Sequence, residues 1–252
     1  MKISVITATY NCGKTLPTTL ESLAGQTHRE IEHLVMDGGS RDDTMDIVKA
    51  WTAHPITAES GPDKGIYDAL NKGIAKASGE IVGFLHADDV LQDAHVLEKI
   101  AKAFEDTAVQ AVYGDLVYVA QDDLEKVIRT WHSGAFHVSR LRSGWMPPHP
   151  TFYARRSLYE RLGGFDLRYR IAADYDNLLR LLSGSDGQGI RAAYIPEVLV
   201  RMRTGGVSNR SLRNILEKSR EDLEIARRNR VGGVRTIVLK NLSKISQFWK
   251  RA

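Results

Sequence analysis

Three short, β-branched apolar segments, KISVIT (residues 2–7), IEHLVMD (31–37) and EIVGFLH (80–86), alternate with stretches of helical spacing at 13–25, 42–53 and 65–77. No other feature limits the fold as strongly, because strands separated by helices of this length form βαβ units rather than hairpins. The alternation predicts an α/β fold with a mostly parallel central sheet flanked by helices. Open sheets of this kind bind ligands beyond the carboxyl ends of their strands, so chemistry is expected at the strand exits.

After residue 110 the pattern loosens. QAVYGDLVYVA and KVIRTW read as strands about a turn holding Gln121, Asp122 and Asp123, and the aromatic, Pro-rich stretch WHSGAFHVSRLRSGWMPPHPTFY follows. GGFD then turns the chain into a helix, DYDNLLRLLSG, and IPEVLV returns as a strand. This predicts one domain over residues 1–207, with halves 1–110 and 111–207, and a helical tail over 208–252.

With 42% hydrophobic and 26% charged residues in 252, the chain has the composition of a globular protein. No window approaches the roughly 20 apolar residues of a membrane-spanning helix, and the N-terminus enters a strand at once, with no secretory-signal pattern. Cys12 is the single cysteine, which excludes an internal disulfide and a cysteine metal cluster. These features fit a cytoplasmic location. The net charge of +4 is unevenly placed: eight basic and no acidic residues follow Ala226, leaving 27 basic against 31 acidic in the body, a net −4. A basic tail suggests an anionic partner, a membrane surface or nucleic acid.

The first strand exit, TATYN (7–11), offers Tyr10, whose ring can lie against a planar ligand or cover the sheet edge. The second, DGGSRDDT (37–44), ends an apolar strand in Asp37, which can accept a hydrogen bond from a base or ribose, while Ser40, Asp42 and Asp43 suit helix caps. Asp63 and Lys64 in ESGPDKG read equally as turn chemistry or as ribose and phosphate contacts. The glycines of DGGS do not make a GxGxxG loop, and GxxxxGK[ST] is absent. EIVGFLHADD (80–89) closes on Asp88 and Asp89. Adjacent carboxylates on a buried strand repel and are costly to desolvate unless they share a cation or each finds a donor. A hard divalent ion, Mg²⁺ or Mn²⁺, answers that cost, and capping of QDAHVLEKIAKAF falls better to Asp93.

Together, ITATYN, MDGGSRDDT, DKGIYDALNKGIAKASGEIVGFLHADD and HPTFYARRSLYERLGGFDLRYRIAADYDNLLRL resemble the inverting glycosyltransferases of family 2, which have the GT-A, Rossmann-like nucleotide-diphospho-sugar transferase fold. The resemblance covers residues 1–205 and implies a nucleotide-sugar-binding half (1–110) and an acceptor and catalytic half (111–207). By that resemblance Thr7, Ala8, Tyr10 and Asp37 would hold the base, usually uracil, Asp88 would contact ribose or metal, and Asp89 would ligate the metal that carries the diphosphate. The catalytic base would be Asp174 in AADYDNLLRL, with Ala173 where many members have glutamate. Read from the residues alone, Asp174 suits a helix N-cap equally. The implied reaction is a single displacement: a divalent cation neutralises the leaving nucleoside diphosphate, and a carboxylate takes the acceptor proton. The implied partners are a nucleotide-sugar donor and a saccharide or lipid-linked acceptor, in bacterial cell-surface polysaccharide or glycolipid assembly.

His149 in PPHPT is expected at the acceptor site, and Arg201, Arg203 and Ser208 in RMRTGGVSN on a late flexible loop over the diphosphate. Trp131, Trp145 and Met146 read as an acceptor platform, a membrane-facing patch or core packing. In the tail, Val234, Val238, Leu242, Ile245, Phe248 and Trp249 share a helical face, with Lys240, Lys244, Lys250 and Arg251 away from it. That pattern suits the inner face of an anionic membrane, or packing on the body or on a second subunit of a homo-oligomer. Two other functions compete. A sugar-nucleotide pyrophosphorylase needs a Gly-rich, Arg- and Lys-bearing loop, which TATYNCGKT does not resemble. A non-catalytic nucleotide-sugar-binding protein sits poorly with Asp89 and Asp174 both present. Nucleic acid is left only to the tail, since no recognised binding motif accompanies it.

Overall fold

The computed structural model describes residues 1–205 and 212–245. The three apolar segments become β1 (Ile3–Thr9), β2 (Ile31–Asp37) and β4 (Ile81–Phe84), all parallel, with β1 in the middle. Every residue of β1 is buried, as expected of a strand covered on both faces. Helices α1 (Leu16–Ala24), α2 (Thr44–Ala50) and α3 (Ile66–Lys76) connect these strands. An unexpected strand, β3 (Ile56–Ser60), pairs parallel with β2 and forms the sheet edge. Four of its five residues are exposed, and in ITAES only Ile56 and Ala58 alternate with polar residues, too short a pattern to mark a strand.

The second half of the sheet is mixed. β5 (Val90–Leu91), β6 (Ala111–Val119), β7 (Val127–Trp131), β8 (Tyr153–Arg155) and β9 (Ala192–Arg203) complete nine strands, ordered β3-β2-β1-β4-β8-β6-β9-β5 with β7 on β6. β8 runs antiparallel to β4 and β6, whereas β6 and β9 are parallel. Parallel pairing therefore runs through β3-β2-β1-β4 and recurs at β6-β9, with antiparallel pairs at β4-β8, β8-β6, β9-β5 and β6-β7. Between β6 and β8 lie only β7 and two short 3-10 turns, Val138–Ser143 and His149–Thr151, and without a crossover helix the chain comes back antiparallel. Two reversals leave β6 running the same way as β4, so the exits of β1, β2, β4 and β6 open on one edge.

One sheet face packs Ile6, Met36, Phe84 and Tyr113 against α3, α5 (Arg156–Leu162) and α6 (Ala173–Ser183). The other packs Ile3, Val5, Ile81 and Leu85 against α4 (Val96–Ala103). β4 meets β8 closely at Gly83, where a Cβ would lie 2.1 Å from Tyr153 Cε1.

The tail is not a separate appendage. In α7 (Leu212–Arg228) and α8 (Val234–Ile245), Ile225, Ala226 and Ile237 join the core cluster that holds α6. Lys240, expected on the solvated basic side, is buried: its Nζ lies 2.7 Å from Asp222 Oδ1 and 3.3 Å from the centroid of the Tyr175 ring. Val234, Val238 and Leu242 do share an outward face, at 60, 50 and 54% exposure. Phe248, Trp249, Lys250 and Arg251 lie outside the described residues, as do the side chains of Lys244 and Ile245. No described helix is long and apolar enough to cross a membrane.

Candidate active site

The exit of β4 carries His86, Asp88 and Asp89 in different surroundings. Asp88 is exposed, while Asp89 is 1% exposed, with Oδ1 accepting a 3.3 Å hydrogen bond from Arg203 N and Oδ2 lacking any partner. Burial, and next the charge of Asp88, push the Asp89 carboxyl well above the ordinary range. An orphaned carboxylate oxygen beside a second carboxylate is the electrostatic situation a divalent cation resolves, so the pair fits one chemically. The two carboxylates differ in access: Asp88 is exposed, whereas Asp89 is buried with Oδ1 on Arg203 N and only Oδ2 left to a cation. Asp93 does not occupy the cap of α4; His95 does, and Asp93 Oδ1 accepts the His95 N–H at 2.8 Å.

The β1 and β2 exits are tied together by polar side chains. Asn11, in the left-handed region at φ 50°, accepts the Arg41 N–H at 2.8 Å, and its own N–H donates to Ser40 Oγ. Asp42 likewise accepts from Gly13 N and from Thr44. Asp37 is buried and accepts from Thr9 Oγ1, Gly39 N, Ser40 N, Ser40 Oγ and Ser60 Oγ. Burial pushes its carboxyl up, but hydrogen bonds from Ser40, Ser60 and Thr9 outweigh this and hold it below the ordinary range. Five protein donors fill the lone pairs of one carboxylate, so Asp37 here organises the DGGS loop rather than offering itself to a base. Thr7 is also withdrawn, fully buried with Oγ1 3.0 Å from His33 Nε2. What faces outward is Tyr10 and, across the loop, exposed Lys64. Asp63 sits over Gly38, where a Cβ would come within 2.6 Å of its Oδ2, and Ala8 is nearly buried at the rim.

Asp174 lies in the first turn of α6, one residue past its start, and does not cap the helix. Its side chain keeps 26% exposure, and His149 Nδ1 lies 3.8 Å from Oδ2. His149 Nε2 is 2.6 Å from His86 Nε2, so the acceptor-half loop reaches the β4 exit through a pair of imidazoles. Tyr67, on α3, donates to Ile171 O at 2.9 Å and, at 3.4 Å, to Asp174 Oδ1. Burial raises the Asp174 carboxyl, but His149, Lys218 and Lys240 outweigh it, so the group is held below the ordinary range. Burial and His86 push His149 down to about 3 against the pull of Asp174. At neutral pH Asp174 is thus an ionised, accessible carboxylate beside a neutral imidazole, which is the state required of a proton acceptor. His86 and Tyr67 were overlooked in the sequence although both stand inside recognisable motifs, HADD and DKGIYDALNKG.

Arg201 and Arg203 are not on a loop. Both belong to β9, where Arg201 is engaged by Gln92, Leu124 O and Glu125, and Arg203 donates to Asp88 O at 2.6 Å, to Gln121 O and to Thr18 Oγ1. Arg203 therefore props the β4 exit from behind; Ser208 lies outside the described residues. Trp145 stacks on Phe136 and donates Nε1–H to Ser133 O, Met146 is buried and Trp131 packs on the core, so these three form a wall, not an exposed platform.

A mixed α/β sheet with carboxylates at the β4 exit and at the start of α6 defines a GT-A fold. The family model described as Glycosyl transferase family 2 matches residues 4–171, and the chain belongs to that family. It is 34% identical over 184 residues to a PGL/p-HBAD biosynthesis glycosyltransferase of Mycobacterium bovis, covering 71% of this chain and 69% of that protein. It is 33% identical over 236 residues to an uncharacterized glycosyltransferase of Mycobacterium tuberculosis, covering 92 and 87%. Among solved structures, Staphylococcus aureus TarS (residues 1–349) superposes with a TM-score of 0.69 at 20% identity, over 89% of this chain and 65% of that one. The mannosyltransferase PcManGT of Pyrobaculum calidifontis, in complex with GDP-Man and Mn²⁺, superposes at 0.65 and 19% identity, over 100 and 76%.

Proposed function

We propose that this glycosyltransferase moves a sugar from a nucleoside-diphospho-sugar, in the first instance a UDP-sugar, to an acceptor hydroxyl with inversion, and that Asp174 is its base. The observation that carries this reading is an ionised, accessible Asp174 together with a carboxyl pair at the β4 exit whose buried member leaves one oxygen, Asp89 Oδ2, without a partner. Asp174 takes the acceptor proton, and His149 and Tyr67 fix its carboxyl. Tyr10 and Lys64 meet the nucleotide from the two sides of the DGGS loop. Mg²⁺ or Mn²⁺, held by Asp88 with Asp89 behind it, would neutralise the charge developing on the leaving diphosphate. Support for the donor class comes from neighbours of the same fold, TarS having been solved in complex with UDP-GlcNAc and PcManGT with GDP-Man and Mn²⁺. The Mycobacterium bovis relative is described as a PGL/p-HBAD biosynthesis glycosyltransferase, which supports a biosynthetic role for the transfer.

The test is a panel of UDP-, GDP- and dTDP-sugars, measuring nucleotide release with Mn²⁺ and with chelator. Release of one nucleotide class that needs the metal is expected; no metal-dependent release from any member would overturn the reading. We also place the outward Val234, Val238 and Leu242 face of α8 on the inner, anionic face of the cell membrane, next to a lipid-linked acceptor. Co-sedimentation with phosphatidylglycerol vesicles is expected to fall in a Val238→Glu, Leu242→Glu variant, and equal binding would remove this part.

A further inference from the structure

Helix α6 starts without a local cap. Ala172 occupies the N-cap and Ala173 follows, and neither methyl group can accept a hydrogen bond from the unpaired N–H groups of a helix start. For the N-cap N–H and the two N–H groups before it, an acceptor comes from α7. Glu221 Oε2 accepts from Ile171 N at 3.0 Å and from Ala172 N at 2.8 Å, while Oε1 accepts from Arg170 N at 2.9 Å. One carboxylate thus takes three successive backbone donors immediately before the turn that bears Asp174. In a capping box, a glutamate three residues into the helix reaches back to the N-cap N–H. That place is filled here by Tyr175, and a residue almost fifty positions later performs the task. The Ile171 peptide is held from both sides, because its carbonyl accepts the Tyr67 hydroxyl that also approaches Asp174.

We infer that Glu221 is a positioning residue for Asp174: α7, which lies beyond the family-matched region, fixes the start of α6 so that the carboxylate faces the β4 exit in one geometry. A negative group at a helix N-terminus is also favoured by the helix dipole, so Glu221 stabilises the site it orients. The neighbouring Arg170–Glu217 ion pair joins α7 to the same segment before α6 through side chains, whereas Glu221 holds its backbone, which supplies an internal control. This inference rests on Asp174 being the base.

The experiment uses the full chain and whichever nucleotide sugar of the panel gives the fastest metal-dependent nucleotide release, with water or an added acceptor taking the sugar. Glu221→Ala is expected to lower kcat about 10- to 100-fold, as a displacement of about 1 Å does elsewhere, with the donor KM within about twofold of wild type. Glu221→Gln keeps an accepting oxygen and is expected to recover most of the loss. Glu217→Ala is expected to leave kcat within about twofold while costing a similar amount of thermal stability. In an Asp174→Asn background, Glu221→Ala should add no further loss, as two residues acting through one group do not add. A wild-type kcat in folded Glu221→Ala, or equal losses in Glu221→Ala and Glu217→Ala, would overturn the inference. Full activity in Asp174→Asn would instead overturn the base assignment, so the two failures are distinct.

Discussion

Replacing Asp222 by Asn leaves the Lys240 ammonium, which is 4% exposed, without the carboxylate 2.7 Å from its Nζ. Burial already pushes Lys240 below the ordinary lysine range against the pull of Asp222, so the loss falls on a charge that water does not reach. Removing one member of a buried ion pair costs about 3–5 kcal/mol. For a domain of this size each kcal/mol moves the midpoint by about 2–4 °C, so Asp222→Asn should lower Tm by roughly 6–20 °C. The paired replacement Lys240→Met with Asp222→Leu removes both charges and is expected within about 1 kcal/mol of wild type, or above it. Urea unfolding followed by circular dichroism reads both. If Asp222→Asn unfolds within about 0.5 kcal/mol of wild type, Lys240 is not buried and α8 is not docked on α6 as described.

Three other perturbations address separate parts of the fold and site. Gly83→Ala puts a methyl group where Tyr153 Cε1 is 2.1 Å away, so an overpacking cost of about 1–3 kcal/mol is expected in the urea midpoint, and an unchanged midpoint would contradict the packing. His33 is pushed down to about 3 by burial and next by His54, so it is neutral in the fold and charges first in the unfolded chain. Its contribution is complete above about pH 6.5 and is lost as pH falls toward 3, which makes about 2–3 kcal/mol between pH 7 and 4.5. His33→Gln should flatten that slope, and a slope equal to wild type would refute it. Asp88→Asn is expected to weaken Mn²⁺-dependent UDP binding at least tenfold, and more than Asp89→Asn does; the opposite order in titration calorimetry would restore Asp89 as the outer ligand.

The strands buried on both faces were legible because their apolar runs have no other explanation, whereas Asp174 was singled out through the family resemblance alone, since AADYDN read by itself suits a helix cap equally. β3 was not legible, since an edge strand exposing four of five residues carries too short a pattern to mark it. The direction of a side chain was harder still. Two adjacent aspartates look alike in sequence, yet the turn after β4, closed by Asp89 N on His86 O, leaves Asp88 in solvent and Asp89 buried against Arg203 of β9. Arg201 and Arg203 looked like a loop because MRTGG ends in glycines, but the strand extends to Arg203 before the turn. Lys240 looked solvated because its only sequence neighbours of opposite charge lie a helix away. Asp222 reaches α8 and Glu221 reaches the segment before α6, and no local pattern announces either contact.

The most direct measurement compares Asp174→Asn with wild type in two assays, Mn²⁺-dependent binding of the active nucleotide sugar and transfer from it. Asparagine preserves the shape of the side chain and cannot accept the proton. Donor affinity is expected to stay within about twofold, while kcat falls by at least about 10²-fold. Full transfer by Asp174→Asn, or loss of donor binding in step with transfer, would contradict the role given to Asp174.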